Sequence, residues 1–267
     1  MKQENTKKFG MVIDLDKCTG CGSCMVACMA ENNVPFREDE TDKLLSIAWM
    51  RVYKLNNSKS FPDYEECYLP RPCMQCEGHN GHSPCVSVCP ATATDYDMNT
   101  GIVSQIYTRC FGCRYCMGAC PYHVRLFNWW DPVWPDGMEA SLNPNVSVRM
   151  RGIVEKCSFC IHRYQVAKEK AYYEGRRELE EGEYQTACTQ ACPAGAITFG
   201  DLNNPAHRVH KMARPDLKHA GKPKNPKAFR LLERLGTNPK VYYLSSREWV
   251  RRSGDNYIKQ EGAGKKA

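Results

Sequence analysis

Apolar and polar positions alternate through "GMVIDLDKC" (residues 10–18), the two-residue period of a short strand. The stretch "TATDYDMNTGIVSQI" (residues 92–106) holds two short runs of the same kind around Asn99, Thr100 and Gly101, and predicts a hairpin. A further strand is predicted over "GAITFGD" (residues 195–201). Residues 161–184, rich in Lys, Arg and Glu, read instead as a charged, mostly solvent-facing helix. The longest apolar stretches, such as "LLSIAWM" (Leu44–Met50), fall far short of the roughly 20 residues that span a bilayer, so no transmembrane segment is predicted.

Short strands and helices spread over 267 residues, enough for one large domain or two small ones, imply a loop-rich chain. Composition agrees. Apolar residues reach 42% only with 17 cysteines among them, and the mean hydropathy is −0.59. Something besides an aliphatic core must hold the molecule together. A disulfide framework is the first candidate for so many thiols, but the number is odd, the chain is long, and cysteines two residues apart are badly placed to pair with each other. The opening "MKQENTKK" also runs into "FGMVIDLDKC" without the apolar stretch of a secretory signal.

The cysteines fall into four repeats. Motif one is Cys18, Cys21, Cys24 and Cys28; motif two is Cys73, Cys76, Cys85 and Cys89. Motif three is Cys110, Cys113, Cys116 and Cys120; motif four is Cys157, Cys160, Cys188 and Cys192. Each opens with C-x2-C and closes with C-x3-C, and Pro90, Pro121 and Pro193 follow the last cysteine of motifs two, three and four. That is the bacterial ferredoxin run, in which three cysteines hold one [4Fe-4S] cube and the fourth reaches a second. Four motifs therefore predict four cubes. A tight C-x2-C-x2-C loop wraps three iron corners, with Gly20 and Gly22, or Gly112, letting the backbone approach the sulfides. The trailing proline suits a first helical position or a fixed turn. Zinc sites also use C-x2-C pairs, but they are built from two pairs, and motifs one and three would then carry surplus thiols.

The chain resembles the four-cluster iron-sulfur subunits of the membrane-bound molybdopterin oxidoreductases, the group of polysulfide, thiosulfate, dimethyl sulfoxide and menaquinone reductases. The resemblance rests on "MVIDLDKCTGCGSCMVACMAENNVP", "PCVSVCPATAT", "GIV", "RCFGCRYCMGACPY", "EKCSFCIHR" and "ACTQACPAGAITFGDLNNP", in family order over most of residues 10–205, with "TNPKVYYL" resembling the closing strand. It implies an α+β fold of two tandem bacterial-ferredoxin-like lobes, with short strands and helices around iron-sulfur clusters. Residues 1–66 with 150–204 would form one lobe, 67–130 the other, 131–149 an insertion serving as a docking loop, and 205–267 a basic C-terminal extension. It also implies the ligand sets: Cys18, Cys21, Cys24 and Cys192; Cys157, Cys160, Cys188 and Cys28; Cys73, Cys76, Cys85 and Cys120; Cys110, Cys113, Cys116 and Cys89. Some relatives replace one cysteine of motif three and carry a [3Fe-4S] cluster; all sixteen are present here, so four [4Fe-4S] clusters are expected.

By the same resemblance, the first lobe faces a molybdopterin-type catalytic subunit and the second a multi-span, quinone-interacting membrane anchor. The expected role is a non-catalytic electron relay, peripheral on the inner membrane through its partners, on the periplasmic side with the cytoplasmic side as the alternative. A soluble polyferredoxin shuttle is the alternative, and the long insertion and basic tail count against it. From Pro205 onward, sixteen Lys and Arg stand against five Asp and Glu, a net +11 that leaves −4 for the rest of a +7 chain. That tail could meet anionic headgroups or an acidic subunit; no groove-reading motif points to nucleic acid. Alternatively the basic excess balances the cofactors, since four oxidised cubes with their thiolates would bring +7 to roughly −1.

A few residues stand outside the repeats. Residues 122–156 form an insertion dense in aromatics, where Trp129, Trp130 and Trp134 either make a docking surface or shield clusters from water. Cys67 reads as a small buried thiol, and His79 and His82 as ordinary loop residues. Lys17, Arg109 and Lys156 each immediately precede a motif, either raising cluster potentials by their charge or merely facing solvent.

Overall fold

The computed structural model describes residues 7–35, 47–216 and 219–254, so the basic tail beyond 254 lies outside the described residues. The first predicted strand forms as β1 (Phe9–Asp14) and leads through motif one into α1 (Ser23–Glu31). A ribbon of β2 (Arg51–Asn56) and β3 (Glu66–Arg71) then delivers motif two, followed by α2 (Pro84–Ser87). The predicted hairpin is β4 (Thr94–Tyr96) and β5 (Val103–Gln105), paired Thr94 to Gln105. Next come α3 (Tyr115–Ala119), β6 (Leu126–Phe127), β7 (Val154–Glu155) and α4 (Ile161–Tyr173). They are followed by α5 (Ala187–Gln190), β8 (Ile197–Asp201), which is the third predicted strand, and α6 (Arg208–Ala213). The chain closes with β9 (Pro215–Asp216), β10 (Lys222–Pro223), β11 (Ala228–Phe229), β12 (Val241–Leu244) and a helix over residues 248–254. The mixture is α+β.

One four-stranded sheet, ordered β11-β12-β1-β8, forms the centre. β1 runs antiparallel to β8 and parallel to β12, with Met11 opposite both Phe199 and Val241. Its residues alternate between two apolar clusters. Phe9, Met11 and Ile13 enter the larger one with Phe199, Val241 and Tyr243, while Val12 enters a smaller one with Leu202, Val209, Ala213 and Tyr242 beneath α6. The strand is thus covered on both faces, which is why its apolar residues run consecutively before the polar alternation begins at Asp14. Each such side chain contributes about 1.5–3 kcal/mol of transfer free energy. The segment after Pro205 therefore supplies two strands to the central sheet and buries Leu231, Leu232 and Val250 beside it.

The charged helix predicted over 161–184 is shorter than expected. Its second half faces solvent apart from Ala171, while Tyr164 is buried and Ile161 and Ala167 pack against the core, and it ends at Tyr173. Gly175 takes a left-handed conformation (φ 75°), its N–H bonds to the carbonyl of Tyr172, and the Arg176 N–H bonds to that of Ala171. This glycine cap satisfies the last carbonyls and turns the chain, and charge patterning carries no trace of it.

Candidate metal centres

The second intervening residue of the C-x-x-C that opens each motif adopts positive φ: Gly20 (73°), Gln75 (50°), Gly112 (77°) and Phe159 (56°). A single left-handed residue at that point turns successive N–H groups inward and makes a concavity suited to negative charge. At Gly112 only glycine fits, because a Cβ would stand 2.1 Å from the carbonyl of Gly152. Gln75 and Phe159 each sustain about 1–2 kcal/mol of left-handed strain, which their side chains offset. The Gln75 amide donates to the Cys157 carbonyl (2.7 Å) and accepts from the Val103 N–H (2.8 Å). Phe159 is fully buried and edge-on to Phe199, within a cluster that also holds Phe9, Tyr164 and Tyr184.

These loops gather all sixteen motif cysteines into four groups. Cys18, Cys21, Cys24 and Cys192 line one cavity; Cys110, Cys113, Cys116 and Cys89 line another. The remaining groups are more enclosed. Burial and the neighbouring Cys157, Cys160 and Cys188 hold the Cys28 thiol well above its ordinary pKa, and burial with Cys73, Cys120 and Cys85 does the same at Cys76. In each group three thiols come from one motif and one from another, because α1 packs on α5 and α2 on α3. Cys67 stays apart, buried on β3 opposite Leu55, where burial lifts its thiol to about 11.

The last cysteine of each motif receives a hydrogen bond from the residue four positions on. The Ala93 N–H donates to Cys89 Sγ (3.2 Å), Ala196 to Cys192 (3.3 Å), and the Val124 N–H to Cys120. Motif one lacks the proline that shapes this turn. There the Asn32 side-chain amide, bonded to the Cys28 carbonyl (2.9 Å), lies 3.7 Å from Cys28 Sγ and 3.9 Å from Cys160 Sγ. Further donors are the Phe159 N–H to Cys157 (3.4 Å) and the Val154 N–H to Cys110 (3.5 Å).

This donor set fits iron-sulfur cores. Burial, reinforced by adjacent thiolates, lifts Cys24 to about 11 and Cys157 to about 12, so four ionised thiols need a polycation among them. Among the described residues, no three His, Cys, Asp or Glu side chains converge on one point as a lone ion requires. Two of the thiol groups, that of Cys18, Cys21, Cys24 and Cys192 and that of Cys89, Cys110, Cys113 and Cys116, surround a cavity, as a cube would need.

The cations preceding the motifs divide. Lys17 keeps 57% of its side chain exposed and Arg109 is exposed, whereas Lys156 is fully buried, bonded through Nζ to the carbonyls of Val103 and Cys157. His79 and His82 are exposed in the motif-two loop. Trp129, Trp130 and Trp134 are half-buried; Trp129 packs edge-on against Phe127 (4.6 Å), and Arg114 lies over both rings beside motif three. Sequence reasoning missed several functional neighbours. Gln75 occupies the glycine position of the repeat, and Asn32 the residue four beyond a cysteine, so aligning the four motifs would have flagged both. Buried Arg125, Arg149 and Lys240 left no local signal. Burial lowers the Lys240 ammonium to about 8 despite nearby Glu77, Cys76 and Cys73.

Residues 9–30 match the 4Fe-4S binding domain family and residues 64–135 the 4Fe-4S dicluster domain family. The chain is 61% identical, over 95% of both proteins, to the menaquinone reductase iron-sulfur cluster-binding subunit of Nitratidesulfovibrio vulgaris. It is 34% identical to the B component of the polysulfide reductase of Wolinella succinogenes, over 90% of this chain and 96% of that protein. It is 32% identical to the arsenate respiratory reductase iron-sulfur subunit of a Shewanella species, over 90% and 97%. With thiol clusters, domain families and full-length relatives in agreement, the chain belongs to the iron-sulfur subunit family of the molybdopterin oxidoreductases, whose members transfer electrons and are not the catalytic subunits.

Proposed function

We propose that this chain holds four [4Fe-4S] clusters in two ferredoxin-like halves and passes single electrons between a quinone-reactive membrane-anchor subunit and a molybdopterin-type catalytic subunit. Residues 1–66 with 150–204 carry two clusters, on Cys18, Cys21, Cys24 and Cys192 and on Cys157, Cys160, Cys188 and Cys28. Residues 67–130 carry two more, on Cys73, Cys76, Cys85 and Cys120 and on Cys110, Cys113, Cys116 and Cys89. The stretch 131–149 serves as a docking loop, and 205–267 extends from the first half. Each cluster supplies a one-electron couple; the protein supplies spacing, hydrogen bonds, charge and dryness.

The observation that carries this reading is the succession of thiol groups. Cys21 and Cys113 are exposed, one in each outer group, whereas Cys157, Cys160 and Cys188 of motif four and Cys28 are buried. Neighbouring groups touch electrostatically in one order: Cys24 acts on Cys28, Cys73 on Cys157, and Cys85 on Cys116. A row with two surface ends suits a wire between two partners. No helix among the described residues is long and apolar enough to cross a membrane; in this reading the anchor subunit supplies the attachment.

Anaerobic isolation of the native protein in mild detergent, with mass spectrometry and iron analysis, tests this. Four iron atoms per thiol group, together with a large molybdopterin-type subunit and a multi-span protein, are expected. An iron-loaded chain recovered alone from the soluble fraction would establish a diffusing shuttle instead.

A further inference from the structure

Arg125 is 3% exposed, follows Val124, whose N–H bonds to Cys120 Sγ, and precedes the β6–β7 pairing. Its Nη1 donates to Gln105 Oε1 (2.7 Å), an oxygen that also accepts from Thr94 Oγ1 (3.0 Å) across the β4–β5 pair. The guanidinium is therefore clamped. Its Nε and Nη2 are buried and meet no partner at hydrogen-bonding geometry. What faces them is sulfur: Arg125 couples to Cys85 and Cys116, and more weakly to Cys73. Cys85 belongs to one thiol group and Cys116 to the next, so one permanent cation stands between two candidate clusters. Gln105, which holds the guanidinium, lines the cavity of Cys89, Cys110, Cys113 and Cys116, and the buried N–H groups have the Cys85 and Cys116 sulfurs as their only acceptors among the described residues, so cluster thiolate there would relieve the cost of burying them.

The matching position in the other half is different in kind. Arg125 lies five residues after Cys120, and Ile197 lies five residues after Cys192. Ile197 lines the cavity of Cys18, Cys21, Cys24 and Cys192. Within the group of Cys28, Cys157, Cys160 and Cys188 the neutral Asn32 amide lies beside Cys28 and Cys160, and the guanidinium that acts on Cys160 and Cys188, Arg163, is held by both oxygens of Glu31.

Resting on the four-cluster reading above, we propose that Arg125 is the shared counter-cation of the two clusters in the half built from motifs two and three, holding both reduction potentials above those a neutral side chain would allow. Reduction adds one electron and one negative charge to a cluster; no bond is made or broken, and Arg125 keeps its proton. The fixed positive charge therefore favours the reduced form of either neighbour.

The test is an anaerobic redox titration of the intact complex, followed by electron paramagnetic resonance, for wild type, Arg125→Gln and Arg125→Lys. Signals are assigned to halves beforehand with Cys21→Ser and Cys113→Ser. Arg125→Gln is expected to lower both second-half potentials by a tenfold change in reduction equilibrium, about 59 mV for one electron. Arg125→Lys should restore most of that, and the first-half potentials should stay put. Equal shifts in the Gln and Lys variants, or unchanged potentials in both, would overturn the proposal. If Arg125→Gln loses a cluster, Arg125→Lys decides: wild-type potentials support the charge, and lowered ones refute it. Iron and sulfide analysis of the wild type tests the four-cluster reading separately, since too little iron there would sink that reading whatever Arg125 does.

Discussion

The thiol groups of motifs one and four and those of motifs two and three, the two halves of the proposed arrangement, share one loop plan and differ in what surrounds it. Both turn each C-x-x-C through a left-handed residue, and both satisfy their last cysteines from four residues on. Around the first pair of thiol groups stand a neutral amide, Ile197, a cluster of Phe9, Phe159, Tyr164, Tyr184 and Phe199, and one guanidinium, Arg163, that Glu31 pairs. Around the second stand buried Arg125 and Lys240, with Lys156 at the junction acting on both Cys85 and Cys157. Spacing builds the thiol cage, and residues outside the repeat set its charge. That division leaves the charge around each thiol group free to differ while the loop geometry stays the same.

The largest expected break comes from the thiols themselves. Cys188→Ser, in the most enclosed group, should remove one proposed cluster and destabilise the first half, whereas Cys113→Ser at the exposed end should cost iron with little loss of fold. Iron content and thermal melting of the two variants read this directly, and equal melting would erase the distinction between enclosed and surface groups.

Next is the junction between the halves. Arg149 and Glu155 form a fully buried ion pair at 3.0 Å, joined by Trp49 Nε1 (3.1 Å) and Asn128 Nδ2 (3.2 Å), and Arg149 Nη2 reaches the Asn33 carbonyl (3.0 Å). Arg149→Leu leaves a buried carboxylate unpaired and should cost about 3–5 kcal/mol in denaturant unfolding. If the halves are separable, the single transition should split in two. Gln75→Ala removes the two hydrogen bonds that tie motif two to Cys157 and Val103, with an expected loss of about 1–3 kcal/mol by the same measurement.

The smallest effect sits in the first half alone. Arg163 grips both oxygens of Glu31 (2.6 Å each) and His162 meets Oε1 (2.6 Å), joining the end of α1 to the start of α4. Partial burial works against ionisation, but these two partners still hold the carboxyl below its ordinary value. The clamp's stabilisation is therefore complete above the unfolded value of about 4.3 and fades as pH falls through the lower folded one. With solvent screening, Glu31→Gln should cost about 1 kcal/mol. The difference between variant and wild-type urea midpoints should be equal at pH 7.5 and 5.5 and shrink below about 4; a difference that had already vanished by pH 5.5 would overturn the assignment of this stabilisation to the ionised Glu31 carboxylate.

Much of the fold was legible. β1, the β4–β5 hairpin, β8 and β12 lie where alternation and resemblance placed them. The β2–β3 ribbon went unread, since its half-exposed residues alternate weakly and its partner lies across a long loop. The end of α4 was missed because a glycine cap overrode a favourable charge pattern. Among the cations before the motifs, Lys17 and Lys156 look alike in sequence, and only one is buried.

By itself the sequence determined the four repeats, the residues that line up within them, and the polar, strand-poor character of the chain, because thiol spacing and two-residue alternation act over a few residues. The tertiary structure decided which motif lends its fourth cysteine to which neighbour, why β12 lies between β11 and β1, and where Arg125, Lys156 and Lys240 end up. Those outcomes depend on helix packing and strand register between segments more than a hundred residues apart, as where Met11 meets Val241, and burial of a charge is a property of everything packed around it rather than of the residues beside it in the chain.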